Sequence, residues 1–483
     1  MPSAEDNVKK RLIGQAVQPV SLLFELLTAL SGLLLLFLLY TSLNPVLAND
    51  VKSYTLDEAV ATALEKNRLK VISQKSVAIA EAQYQQARST FWPTLSLNAN
   101  FIRRDETAIF EFPAQRFDVA PGMLPPVEVP ALDVDLLGRD TSHYSLEMTY
   151  PLYTGGKRSS LIEQARLGVD IATKEVHRTN LQIVQDVKRY YYAALYTRQL
   201  AALAEDITIS FEVLRDITQA FYDGGSESVN KLDLLQSKLA HTLAEATYEE
   251  LAAKHQAALA ALSFTMGLEW QEQIQLGTQE YPDAANSLEL DRLIGQAEKF
   301  NPQIEQLALA VEAYEAKVDE ARSDHYPTIG LMASVDEFNN ELDGGLSVEE
   351  NEHAWQLAIG MELKLFDGGL IKQRVAAAKA KKAQKEQQRL LLSESTATQI
   401  KHLFIKTGAA HKQVDITQQA VETSQQNLDL SNRAYQTGAV KTEKIIEANL
   451  LDAMVRANLA RATHDQALHL AEIAYLLGSE VIE

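Results

Sequence analysis

Lys157 follows Gly155 and Gly156, the local order of a phosphate-binding loop in which backbone N–H groups and an ammonium would hold phosphate oxygens. The upstream glycine of such a loop is missing, because position 151 is Pro. The ten histidines are scattered, with no HExxH and no paired ligand spacing. There is no cysteine, which excludes disulfides, thiol catalysis, thiolate metal sites and an N-terminal lipid-modified cysteine. Asp and Glu are abundant, but no nucleophile elbow or Gly-rich cradle accompanies them. The residues therefore predict no catalytic, cofactor or metal site, and no enzyme. A formal charge of -20 also argues against nucleic acid as partner, since phosphate binding needs clustered Lys and Arg.

What the chain carries instead is repetition. Asn67, Ala87 and Pro93 recur as Asn301, Ala321 and Pro327, each 234 residues on. Tyr153 with Gly155 and Gly156 recurs as Phe366 with Gly368 and Gly369, and Tyr222 with Gly225 recurs as Tyr435 with Gly438, now at an offset of 213. The first copy thus holds a 21-residue insertion between Pro93 and Tyr153. One register kept over so long a span reads as a tandem duplication. The expected organisation is a signal peptide over 1–48, a first repeat over 49–287, a second over 288–478 and a short tail, 479–483. The signal rests on Lys9, Lys10 and Arg11, the apolar run 26–40, and Val46 and Ala48 at a cleavage site.

Between 157 and 222 there is no proline, and apolar or small residues recur at 176, 183, 187, 190, 194, 201, 204 and 211. That spacing makes one face of a helix about 100 Å long. Its counterpart spans 370–435, and shorter partners are expected over 56–91, 229–266, 288–325 and 441–477. The intervals 94–152 and 328–366 predict β-hairpins, because apolar and polar residues alternate there. Leu95, Leu97, Ala99 and Phe101 oppose Ser96, Asn98 and Asn100; Trp355, Leu357, Ile359, Met361, Leu363 and Leu365 form another apolar side. Phe91, Trp92, Tyr326 and Phe366 stand at the strand ends. Four such strands are too few to close a barrel alone, and the sequence offers no second sheet to cover them. Amphipathic strands with aromatic ends fit a transmembrane β-barrel closed by oligomerisation with cyclic symmetry.

These residues resemble the TolC family of outer-membrane efflux proteins over nearly the whole mature chain. The resemblance is carried by Leu56-Asp57-Glu58-Ala59 with Asn67, Pro93-Thr94-Leu95, Pro151 to Gly156, Tyr222 with Gly225, and the 262–267 segment. It is carried again by Ala297 with Asn301, Pro327-Thr328-Ile329, Leu365 to Gly369, Tyr435 with Gly438, and Leu476-Leu477-Gly478. It implies a fold that is mainly α with transmembrane β, a tandem-duplicated protomer of a homotrimer with one β-barrel and a long α-helical barrel. It also implies an exit duct for a tripartite efflux pump or type I secretion system, set in outer-membrane lipid and docked to a periplasmic adaptor (membrane fusion) protein and an inner-membrane pump. A pore-free, periplasmic or membrane-anchored coiled-coil scaffold is the alternative, and the amphipathic strands distinguish the two.

By the same resemblance the turns between long and short helices form the periplasmic gate and docking tips: Tyr222, Gly225, Glu227, Lys231 and Asp233, and Tyr435, Gly438, Lys441, Glu443, Lys444 and Glu447. Gly225 and Gly438 suit a left-handed turn that reverses the chain. Family members often carry aspartates six and nine residues after the second glycine; Lys444 and Glu447 stand there instead of an acidic ring, which allows either Lys-to-Glu pairs between subunits that hold the gate shut or a solvated, charged helix start. The mouth at the other end is expected to be acidic. Seven acids and no Lys or Arg lie within 331–353, and eight acids against four arginines within 102–143.

Overall fold

In this computed structural model, residues 52–119, 122–123, 125–277, 281, 289–340 and 353–479 are described. The expected signal peptide and the acids of 341–352 lie outside them. The first half contains α1 (Leu56–Lys66), α2 (Arg68–Ser89), α3 (Lys157–Asp223) and α4 (Lys231–Thr265). The second contains α5 (Leu290–Phe300), α6 (Pro302–Ser323), α7 (Leu370–Gln436) and α8 (Thr442–Leu476). The lengths run 11, 22, 67 and 35 residues in each half.

Single helices were expected over 56–91 and 288–325, and each is broken at its recurring asparagine. Asn67 ends α1 and caps α2, its Oδ1 accepting from Leu69 N at 2.8 Å. Its Nδ2 donates to Thr265 O at 2.7 Å, at the end of α4. Asn301 repeats the arrangement, accepting from Gln303 N at 2.9 Å and donating to Leu476 O at 2.9 Å. A side chain that satisfies one helix start and another helix end at once makes a corner more favourable than a continued helix. Gly267, at φ +75°, closes this corner from the other side, where an added Cβ would stand 2.7 Å from Lys66 O.

The main core surrounds the middle of α3, with Ile183, Val187, Tyr191 and Leu195 against Ala59 and Ala63 of α1 and Leu262 and Met266 at the end of α4. A short parallel pair, β1 (Lys52–Tyr54) with β8 (Ile274–Leu276), covers one side of it. The second half builds the matching core from Leu293, Ala297, Ile400, Leu403 and Ile473.

Four long strands form one antiparallel sheet: β2 (Thr94–Arg103), β7 (Asp140–Tyr153), β9 (Thr328–Asn340) and β10 (His353–Glu362), in the order β10-β9-β7-β2. β10 ends at Glu362, so Leu363 and Leu365 lie beyond the strand they were expected to extend. The expectation of four strands is also corrected by β1, β8 and the short strands within 108–137: β3 (Ala108–Phe112), β4 (Gln115–Phe117), β5 (Val127–Val129) and β6 (Leu132–Leu137). β3 pairs with β6 and β4 with β5, extending the first hairpin as a two-stranded ribbon. No described helix is long and apolar enough to cross a membrane.

Candidate functional site

The sheet is two-faced because its register is. Trp355 lies opposite Val335, Val335 opposite Leu146, and Leu146 opposite Leu97. The next row on that face is Leu357, Ala333, Met148 and Leu95. On the reverse face the rows read Gln356, Ser334, Glu147 and Ser96, then Ala354, Asp336, Ser145 and Asn98. Directly opposed residues in an antiparallel ladder share a side, so one face is apolar across all four strands and the other is polar. The apolar side is not covered: Leu97 is 74% and Trp355 78% exposed. Among the described residues no strand lies beyond β10 or β2. On the polar face His143 Nε2 lies 3.2 Å from Asp336 Oδ1, and Ser334 Oγ donates to Asp336 Oδ2 at 2.7 Å.

At the far ends of the long helices the two turns are built alike. Gly225 (φ +72°) and Gly438 (φ +73°) adopt the left-handed conformation, Ser226 N donates to Phe221 O at 3.0 Å, and Ala439 N donates to Ala434 O at 2.9 Å. These bonds occupy carbonyls left open at a helix end. Beyond the first turn Asn230 caps α4, and the buried Asp233 reaches back to Asn230 N at 2.9 Å as its capping partner. Glu227 and Lys231 are exposed, as are Lys441 and Glu443.

The two equivalent tyrosines differ. Tyr222 is 38% exposed, whereas Tyr435 is 5% exposed and packed among Phe211, Leu214 and Ile445. The Tyr435 hydroxyl lies 2.7 Å from Thr218 Oγ1 and 3.2 Å from Thr442 Oγ1, both buried. Thr218 uses its single hydrogen on Leu214 O at 2.7 Å, so it accepts from Tyr435, which in turn accepts from Thr442. A directional chain of hydroxyls thereby ties α3, α7 and α8 together. Farther from the tip, Ser424 Oγ donates to the buried Asp452 Oδ1 at 2.7 Å. Arg456 lies 3.7 Å from Asp452 Oδ2 and 3.4 Å from Asp206 Oδ2, bridging α8 to α3.

Lys444 and Glu447 pair with each other in one helix, Nζ to Oε2 at 2.6 Å. Within one chain the two are neighbours because three residues place both side chains on one helical face, and a pairing between subunits remains a proposal. Glu447 holds the Lys444 ammonium above its ordinary value, but both side chains are exposed and such a pair contributes little. Thr218, Thr442, Ser424 and Asp452 were not singled out from sequence. The available signal was a polar residue on an apolar face: 204, 211 and 218 continue one seven-residue spacing, and the last is Thr.

The family described as outer membrane efflux protein matches residues 60–268 and 293–479. The chain is 21% identical over 203 residues to outer membrane protein TolC of Salmonella enteritidis, an alignment covering 41% of this chain and 40% of that protein. It is 23% identical over 328 residues to nodulation protein T of Rhizobium leguminosarum bv. trifolii, covering 66% and 67%. A membrane protein from Pseudomonas aeruginosa has a similar fold, with TM-score 0.72 at 18% identity over 89% of this chain and 91% of that one.

Proposed function

The chain belongs to the outer membrane efflux protein family, and from that premise we propose that it is a passive exit duct of a tripartite efflux pump or type I secretion system. The observation that carries this reading is the four-stranded sheet with one exposed apolar face, one polar face and two open edges, set on 67-residue helices. An exposed apolar face of that extent has no place in water, and lipid would solvate it. Its open edges would be satisfied by further copies, and three copies would supply twelve strands around a bore lined by the polar face. The repeated helix lengths support a tandem-duplicated protomer, whose helices would continue the tube below. In this arrangement the turns at 222–233 and 435–447 form the far entrance and the surface offered to a periplasmic adaptor and an inner-membrane pump.

The test is reconstitution. Outer-membrane fractions should yield a heat-modifiable trimer that conducts in planar bilayers. A water-soluble monomer without conductance would favour the coiled-coil scaffold.

A further inference from the structure

Where the sheet meets the helices, Arg88, Phe91, Trp92, Pro93, Tyr150 and Ile162 line an open cavity of about 500 Å³. Its place follows from the register. Tyr150 alternates with Met148 and Leu146 on β7 and so stands on the apolar face, and Trp92, 74% exposed, lies two residues before β2 begins. The cavity therefore opens on the apolar side of the sheet, at the level where apolar strands give way to charged helices.

One arginine, Arg88, lines the cavity, and a second, Arg158, stands behind its wall; the two differ in what they can offer. Arg158 is engaged: its guanidinium donates to Leu152 O at 3.1 Å and Thr90 O at 3.4 Å and lies 4.3 Å from the Phe91 ring centre. It props the aromatic wall. Arg88 is exposed in the last turn of α2, 5.9 Å from the Tyr84 ring centre, and no carboxylate among the described residues pairs with it. The position 234 residues later is an internal control. Arg322 there donates to Asp319 Oδ1 at 2.7 Å, whereas the place of Asp319 in the first half is taken by Gln85. An unpaired guanidinium beside an aromatic and aliphatic hollow, at a boundary between apolar and polar surface, is complementary to a phosphate that carries acyl chains.

We propose that this cavity binds an anionic glycerophospholipid, with its phosphate on Arg88 and an acyl chain against Trp92 and Tyr150. The proposal rests on the reading of the sheet as part of a membrane barrel. Purified full-length assemblies, first shown to conduct in planar bilayers so that the barrel is settled separately, are delipidated and titrated in mixed micelles with phosphatidylglycerol or phosphatidylcholine. Bound lipid is read by native mass spectrometry.

Wild type should prefer phosphatidylglycerol, and Arg88→Gln should weaken that lipid about fivefold, the effect of about 1 kcal/mol per basic group at an anionic surface, while leaving phosphatidylcholine unchanged. Arg322→Gln should change neither lipid, and Trp92→Ala should weaken both. Equal binding of both lipids by conducting wild-type assemblies would overturn the proposal, as would Arg88→Gln behaving like wild type. A neighbouring copy covering the cavity would give that result. Displacement of phosphatidylglycerol by millimolar inorganic phosphate would also overturn it, marking a site for free phosphate rather than lipid.

Discussion

Tyr435→Phe removes one oxygen from the buried hydroxyl chain at the helical tip and nothing else. Two hydrogen bonds vanish, to Thr218 at 2.7 Å and Thr442 at 3.2 Å. Thr218 keeps its bond to Leu214 O and loses only an incoming donor, so the larger loss falls on the Thr442 hydroxyl, 1% exposed and stripped of this acceptor. A net hydrogen bond contributes about 0.5–1.5 kcal/mol and a stranded buried hydroxyl costs about 1–3 kcal/mol. About 2 kcal/mol is the expected destabilisation of the contact between α3 and the α7–α8 turn. If the tips must part for the duct to open, that shifts the closed-to-open ratio by about 30-fold. The assay is single-channel conductance in planar bilayers, with amide exchange over 214–222 and 435–445 reporting the same opening. Tyr222→Phe is the matched control, since Tyr222 occupies the equivalent turn in an exposed position. Should the two variants conduct and exchange alike, the latch has no part in holding the tip, and the asymmetry between the halves is without consequence.

Ile359→Arg, on the apolar face, should destabilise the assembled barrel by about 2–4 kcal/mol if it sits at the bilayer midplane, whereas Gln356→Arg on the polar face should leave heat-modifiable assembly intact. Gly267→Ala forces a Cβ against Lys66 O at positive φ and should lower stability by about 1–3 kcal/mol in thermal unfolding followed by circular dichroism. Asp367 accepts from Ile371 N at 2.7 Å and Gly369 N at 2.8 Å, and these backbone bonds hold its carboxyl below the usual carboxylate range. Because the folded value is the lower one, the stabilisation is complete above the unfolded value of about 3.9 and is lost as pH falls through the folded value, so the melting difference between wild type and Asp367→Ala should shrink between pH 7 and pH 3. With acids dominating 102–143 and 331–353, the reversal potential in dilute KCl should show cation preference that fades as salt rises and the Debye length contracts.

Whatever depends on neighbours in the chain was legible in the chain. The apolar spacing through 176–211 and the absence of proline outline α3, which runs Lys157–Asp223, because helical periodicity and helix breakers act locally. Gly155, Gly156, Gly368 and Gly369 mark strand-to-helix turns and all have positive φ, a conformation glycine adopts without steric cost. Alternation within β2 and β10 already separated an apolar from a polar side, since a strand's side chains alternate with period two. The signal at Asn301 was also present: a capping residue followed by Pro302 at the first helical position announces a helix start inside the stretch read as one helix.

What the chain alone did not decide is which elements meet. β1 pairs with β8 more than 200 residues away, and no local pattern in three residues announces it. Periodicity shows that α3 and α7 have apolar faces but not which neighbour covers each stretch of them. Tyr222 and Tyr435 each stand three residues before the glycine of an equivalent turn, yet one lies exposed and the other buried between helices, because burial is a property of the packed arrangement. The Lys444–Glu447 pair shows the same division: two charges at the tip are evident in the residues, and the helix turn beneath them makes them partners of each other. Only the packed structure sets Arg88, Trp92 and Tyr150, from a helix, a turn and a strand, around one hollow.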